Sequence, residues 1–340
     1  MKNIWQVAAG DSSRDYTDVF LKFGVILVGP GCEGPYSDHK EYYKKFGKRK
    51  TFIKTLAEEL SKGDLVILKR PNGQKWEIVA VGEIVSDYLY KDVFGDVDGW
   101  DLQHCREISW KKPVEKIIVS GLRRGTLSRV NYQQAINVAT NVWSRGEKVP
   151  AIPIPSVQEK ISDDQLIDKL IGAGLPSQNA ELITHTIWRL RRIAKWYDHY
   201  REEHVVGEHE IRTFLIVPLL MSLGWAEQKI KIELKYADVV LFDKPYSKQS
   251  KPIIIIESKR LGDGLGFAYE QASNYAKEYP TCNKLIVSDG IRYKLYKKEN
   301  RSWNYSAYIN LLELKKRHPY ESEVEGAETF FLEILPKGTT

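Results

Sequence analysis

The sequence predicts two domains of different class, an α+β domain rich in short strands followed by an α/β domain. Three observations lead there. Residues 1 to 145 carry short runs in which apolar and polar residues alternate, the period of half-buried strands. Pro150, Pro153 and Pro155 then fall within six positions, a density that disfavours helix and ladder alike and marks residues 146–160 as a linker. Beyond it, apolar segments follow one another in the order helix, strand, strand, helix, strand, the order of an α/β core. At 340 residues the chain can bury a core in each domain.

In the first domain Asp64–Lys69 and Glu77–Val85 read as strands, with Pro71-Asn72-Gly73 between them as a hairpin turn. The clearest helix is Lys50–Leu60. After the linker, Ser162 is placed to cap one helix. Gly172 and Gly174 break the pattern, and Ser177 caps a second helix over Ala180–Tyr200. That helix sets Leu182, Ile183, Ile187, Leu190, Ile193 and Ala194 on one face, and residues 161–201 are expected as a helical connector. The last domain, 202–330, opens with a helix over Glu208–Leu223 and a single strand over Ile230–Phe242. Ile253–Ile256, four isoleucines in a row, predict a strand buried on both faces. Gln271 and Tyr275 are one helical turn apart and share a face. Lys284–Gly290 and Arg292–Tyr296 read as strand, tight turn and strand.

Bulk properties exclude several classes. Apolar residues are 42% and charged residues 28% of the chain, the balance of a soluble globular protein. No run approaches the ~18 apolar residues of a membrane span, and the start has no signal-peptide core, so a cytoplasmic location without membrane contact is expected. Cys32, Cys105 and Cys282 are odd in number and far apart, which fits neither a disulfide scaffold nor a thiolate zinc site. The net charge of +6 is mild, but it gathers in clusters: Lys44, Lys45, Lys48, Arg49 and Lys50; Arg123 and Arg124; Arg189, Arg191, Arg192 and Lys195. Such clusters suit phosphate contacts and equally suit solvated helix faces.

Chemistry concentrates after the isoleucine run. Side chains alternate across a strand, so Glu257 and Lys259 point to one face. A carboxylate and an ammonium at the end of a buried strand are costly unless they pair or bind a metal. With Asp238 on the preceding strand, these groups could hold a Mg²⁺ ion, the backbone carbonyl of Ser258 serving as a third ligand and Glu210 completing the shell. Mn²⁺ could substitute, and Lys259 could orient a water. The ordered set EHEIRTFLIVPLLMSLGW, ADVVLF, IIIIESKR, EQASNYA and VSDGIRYKLY resembles the PD-(D/E)XK nucleases. Within them it is similar to the amino-terminal nuclease domain of type I restriction motor subunits. The resemblance implies a restriction-endonuclease-like α/β fold and an active site formed by Glu210, Asp238, Glu257, Lys259, Gln271 and Tyr275. Ala237 stands where the name-giving pattern has proline.

The amino-terminal segments around Trp5, Asp18–Gly34, GDLVILKRPNGQKWEIVAVGEIV and Asp98–Leu102 are similar to EVE and PUA-like domains. That resemblance implies a small β-barrel whose pocket receives a modified base. Trp5, Tyr16, Trp100 and Asp101 are the candidate pocket residues, and each tryptophan suits core packing equally well. Gly29–Gly34 satisfies a GxGxxG pattern, yet Pro30 and Pro35 are poorly placed to open a helix, so it reads as a flexible rim and not a dinucleotide site. Glu203, His204, Glu208 and His209 read as a solvated approach to the helix. Together the two resemblances imply a modification-dependent restriction endonuclease acting on DNA, and cutting both strands implies a homodimer. An RNA-directed enzyme and a non-catalytic nucleic-acid sensor remain the alternatives.

Overall fold

The computed structural model describes residues 2–11, 14–45, 47–200 and 206–336, without the side chains of 45, 47–50 and 198. Glu203 and His204 lie outside the described residues, as do the side chains of Lys45, Lys48, Arg49 and Lys50. The chain divides into two units, Met1–Ser156 and Val157–Thr340. Among the described residues no helix is long and apolar enough to cross a membrane.

The first unit is built from β1 (Ile4–Ala8), α1 (Thr17–Phe23), β2 (Val25–Val28), α2 (Lys40–Lys45) and α3 (Gly47–Lys54), the last running into a π turn at Thr55–Glu59. Then come β3 (Leu65–Asn72), β4 (Lys75–Ile84), β5 (Leu89–Tyr90), β6 (His104–Lys112), β7 (Ile117–Val119), β8 (Leu127–Arg129), α4 (Gln133–Arg145) and β9 (Glu147–Lys148). Nine strands form one curled half-barrel sheet in the order β2-β6-β4-β3-β1-β8, with β5 and β9 paired to β6 and β7 to β4. The alternation read from the sequence has its physical basis here. Ile4, Leu65, Ile67, Ile78 and Val81 face α4, which buries Ala135, Ala139 and Val142 against them. The β3–β4 hairpin turns where expected, and Gly73 takes the left-handed conformation (φ 60°) that the turn requires.

The expected linker is partly claimed by this unit. Its start, β9, pairs with β6, and the amides of Val149 and Ile152 donate to the carbonyls of Trp110 and Lys22, each at 2.9 Å. The boundary therefore falls after residue 156.

In the second unit α5 (Asp163–Gly172) begins with a capping box: Ser162 Oγ accepts from the Gln165 amide, and Gln165 returns the bond to the Ser162 amide. Next are α6 (Ser177–Tyr200) and α7 (Glu208–Ile211), which passes through a π turn at Arg212–Ile216 into α8 (Val217–Ser222). After β10 (Ile230–Leu234), β11 (Ala237–Phe242) and β12 (Pro252–Ser258) come α9 (Ala268–Tyr275), β13 (Lys284–Ser288), β14 (Arg292–Glu299), β15 (Ser302–Asn310) and α10 (Ala327–Ile334). The six strands lie in sequence order, and β12 and β13 are parallel, joined across α9.

Two expectations are corrected. The single strand over Ile230–Phe242 is a hairpin, β10 and β11, folded at Lys235 with Glu233 and Lys235 at φ 55° and 56°. The helical connector is no connector: Leu166, Leu170, Ile183, Ile187 and Leu190 share one core with Ile254 and Ile256 of β12. Leu182 faces outward, 48% exposed. The isoleucine run is buried on both sides, Ile254 and Ile256 toward that core and Ile255 toward Ala268 and Ala272 of α9. With both faces covered, the end of β12 is where this sheet presents polar groups.

Candidate active site

Glu257 is the next-to-last residue of β12, and its side chain is 2% exposed. Its Oε1 accepts from Lys259 Nζ at 2.8 Å, while its buried Oε2 has no hydrogen-bond partner. Burial pushes the carboxyl up to about 7, the Lys259 hydrogen bond opposes this, and the charges of Asp238 and Glu208 push further in the same upward sense. Lys259 also donates to Gln271 Oε1 at 3.1 Å, and Gln271 Nε2 donates to Tyr275 Oη at 2.9 Å. Tyr275 in turn stacks on Tyr236, ring centres 6.0 Å apart. Strand period and helical turn thus converge: Glu257, Lys259, Gln271 and Tyr275 form one hydrogen-bonded chain from β12 to α9.

Asp238 lies one residue beyond the Val239–Ile256 pair, so β11 and β12 bring it to the same end of the sheet as Glu257. Arg212, 4% exposed, donates to its Oδ1 at 2.7 Å, and the Ser258 amide and hydroxyl donate to Oδ2 at 2.8 and 2.7 Å. Arg212 spans further to Ser258 Oγ (3.1 Å), His209 Nδ1 (2.7 Å) and Glu233 (2.7 Å). The expected part of Ser258 was its carbonyl; the groups seen at work are its amide and hydroxyl, which orient Asp238.

Glu210 is elsewhere. Its carboxylate accepts from the Gly207 amide at 3.2 Å, closing the turn at the start of α7, and its charge acts on Tyr197. The acid whose charge reaches Glu257 is Glu208, which the sequence reading assigned to the solvated approach.

Among the described residues no three His, Cys, Asp or Glu side chains converge as a ready-made metal cage. The donor chemistry fits a hard cation all the same. One oxygen of the buried Glu257 carboxylate is left unpaired while the charges of Asp238 and Glu208 also reach the group, an arrangement that a divalent ion relieves.

In the first unit the four pocket candidates separate. Trp5 is 4% exposed and its indole N–H donates to Asp64 at 3.0 Å, so it belongs to the core and leaves the pocket set. Asp101 accepts from the amides of Gly31 and Cys32, at 3.2 and 3.1 Å, and so caps the Gly29–Gly34 loop. Tyr16 and Trp100 do meet, edge to face at 5.9 Å, with the Arg14 guanidinium 4.3 Å from the Trp100 ring centre. The loop is no flexible rim: Tyr90 Oη donates to Gly31 O at 2.6 Å and Tyr43 Oη to Gly34 O at 2.7 Å. Beneath it lies His104, fully buried and held down to about 4 by burial. Its Nε2 faces the Pro30 carbonyl at 3.2 Å, which can only accept, so Nε2 carries the proton and Nδ1 accepts from Tyr88 Oη at 2.7 Å. This Tyr–His cluster had no sequence signal, since its members are dispersed from Tyr36 to His104.

The profile of a family described as Domain of unknown function (DUF8426) matches residues 5–130, inside the first unit. No curated protein matches the chain.

Proposed function

We propose that the chain is a modification-dependent DNA endonuclease. In this reading the second unit is a PD-(D/E)XK nuclease domain, and the first an EVE/PUA-like domain that selects DNA bearing a modified base. The observation that carries it is the chain Glu257–Lys259–Gln271–Tyr275, at the same end of the sheet as Asp238, with one buried Glu257 oxygen unsatisfied. Glu257 and Asp238 would hold Mg²⁺, or Mn²⁺ in its place, which when bound supplies charge stabilisation at the scissile phosphate. Gln271 and Tyr275 position the Lys259 ammonium, which offsets phosphate charge and orients the attacking water. Arg212 and Ser258 fix Asp238. In the first unit Trp100, with Tyr16 at its edge, is the aromatic surface for the selected base. Cutting both strands requires two such sites, hence two copies on the DNA, and a cytoplasmic setting follows from that substrate.

A second reading, a sensor with an inert nuclease fold, is favoured by one observation: Arg212 already neutralises Asp238. Phage and plasmid DNAs carrying cytosine, methylcytosine, hydroxymethylcytosine or glucosylated hydroxymethylcytosine separate the two. The endonuclease cuts at least one modified DNA with Mg²⁺ and none with EDTA, and Trp100→Ala erases the preference between DNAs. Binding without cutting under every divalent ion supports the sensor.

A further inference from the structure

Helix α6 is anchored on one side only. Ile187, Leu190 and Ala194 are buried in the core of the second unit, which turns the opposite face outward over the whole helix. On that face Trp188, Arg189, Arg192, Lys195, Trp196 and Tyr200 recur at helical spacing, all exposed. Trp188 and Trp196 are each 53% exposed and Tyr200 37%. A helix already fixed by its buried side needs none of these rings, and large apolar surface left in water marks a contact surface. The rings are also interleaved with cations. The Arg192 guanidinium lies 5.0 Å from the Trp188 ring centre, and Trp196 and Tyr200 lie 5.1 Å apart. Among the described side chains, Arg189, Arg192 and Lys195 lie between these rings, and the carboxylate of Glu181 lies at the start of the helix.

Cations call for an anion, and flat exposed rings call for flat partners. A second copy pairing through this face would set like charges opposite one another, and a protein partner would need a carboxylate opposite each of the three cations. Duplex DNA would answer the cations, yet its bases are already stacked on one another. A strand with unpaired bases answers both. Resting on the reading of the chain as an enzyme of nucleic acid, we infer that the outer face of α6 holds an unpaired stretch of strand. Its phosphates lie on Arg189, Arg192 and Lys195, and its bases stack on Trp188, Trp196 and Tyr200. The two tryptophans are eight residues apart, about 12 Å along the helix, which spans about three nucleotides of strand.

The test uses the full chain in EDTA, where cleavage is silent, and fluorescein-labelled oligothymidine against a labelled duplex of equal length, read by anisotropy. Trp188→Ala with Trp196→Ala is expected to weaken oligothymidine binding by at least about thirty-fold and duplex binding by less than about two-fold. Restoring rings with Trp188→Phe and Trp196→Phe recovers most of the loss. Replacing Arg189, Arg192 and Lys195 by alanine lowers the slope of log K against log salt by about 2, at about 0.7 per phosphate contact. Unchanged melting confirms that the variants fold, as expected for exposed positions. Equal binding of oligothymidine by wild type and the double alanine variant overturns the inference. So does sedimentation in which that variant only loses self-association. Cleavage assayed separately with Mg²⁺ keeps the two readings apart. A chain that binds through α6 and never cuts loses the nuclease reading alone, and one that cuts while the variants bind normally loses the α6 site alone.

Discussion

Two buried regions, the one around Arg106 and His104 in the first unit and the end of β12 in the second, treat their ionisable groups differently. In the first, Arg106 has no carboxylate partner but donates to the carbonyls of Leu56, Ala57 and Ser86 at 2.8 to 3.1 Å. Asp64 accepts from the Trp5 indole and the amides of Asn3 and Ser61, and His104 is matched on both nitrogens. In the second unit Glu257 is as deeply buried as these, and one of its oxygens has nothing. A satisfied buried group secures a fold, whereas an unsatisfied one costs about 1–3 kcal/mol or more, a cost natural sequences retain chiefly where a ligand removes it. That contrast distinguishes the Arg106, Asp64 and His104 scaffold from the Glu257 site, and variants on each side of it can break it.

The largest effect is expected at Lys259. Lys259→Ala removes the ammonium bonded to Glu257 and Gln271, and cleavage should fall by about 10² to 10³, the scale of losing one charge-stabilising group. DNA affinity should stay near wild type because one lysine is a small share of the phosphate contacts. A variant that still cuts at more than about a tenth of the wild-type rate would remove Lys259 from the mechanism.

On the scaffold side the losses appear as stability. Arg106→Met removes the guanidinium donors from the buried bond to Leu56 and the part-buried bonds to Ala57 and Ser86, and thermal melting should show a loss of about 3 kcal/mol with no change specific to cleavage. His104 gives a pH signature of comparable size. Its pKa is depressed from 6.5 to about 4, so the folded state binds fewer protons than the unfolded state between those values. The contribution is complete above pH 6.5 and is lost as pH falls toward 4; at about 1.4 kcal/mol per unit it amounts to about 3 kcal/mol. His104→Gln should flatten stability against pH in that window. An unchanged profile would show that His104 is not the titrating group.

How much of this was legible depended on whether a signal is local. The apolar run at Ile253–Ile256, the two-residue step from Glu257 to Lys259 and the four-residue step from Gln271 to Tyr275 are periodicities, and all reappear as geometry. So does the helix cap at Ser162. The hairpin at Lys235 was invisible because no Gly, Pro, Asn or Asp marks the turn, and the chain accepts positive φ at Glu233 and Lys235 instead. Arg212 carried no sequence signal, since nothing local says that Asp238, Ser258, His209 and Glu233 will converge on it. Trp5 leaves the pocket set because of Asp64, which lies 59 positions away in sequence.

The finest test of the contrast lies at Ser258, where a buried polar group serves the site without facing the unpaired oxygen. Its hydroxyl donates to Asp238 at 2.7 Å and accepts from Arg212 at 3.1 Å, while its amide holds the same carboxylate oxygen independently. Ser258→Ala keeps the amide bond and removes only the hydroxyl, so the fold should lose about 1 kcal/mol. If Asp238 and Glu257 share a cation, loosening Asp238 should weaken Mg²⁺ by about ten-fold, as loss of an orienting hydrogen bond does at metal sites. Titrating Mg²⁺ into the apoprotein by calorimetry, with no DNA present, measures this without recourse to cleavage. Ser258→Thr, which keeps a hydroxyl, should recover part of the affinity. Equal Mg²⁺ affinity in wild type and Ser258→Ala would mean that Asp238 belongs to the Arg212 ion pair alone and that Glu257 binds the cation without it.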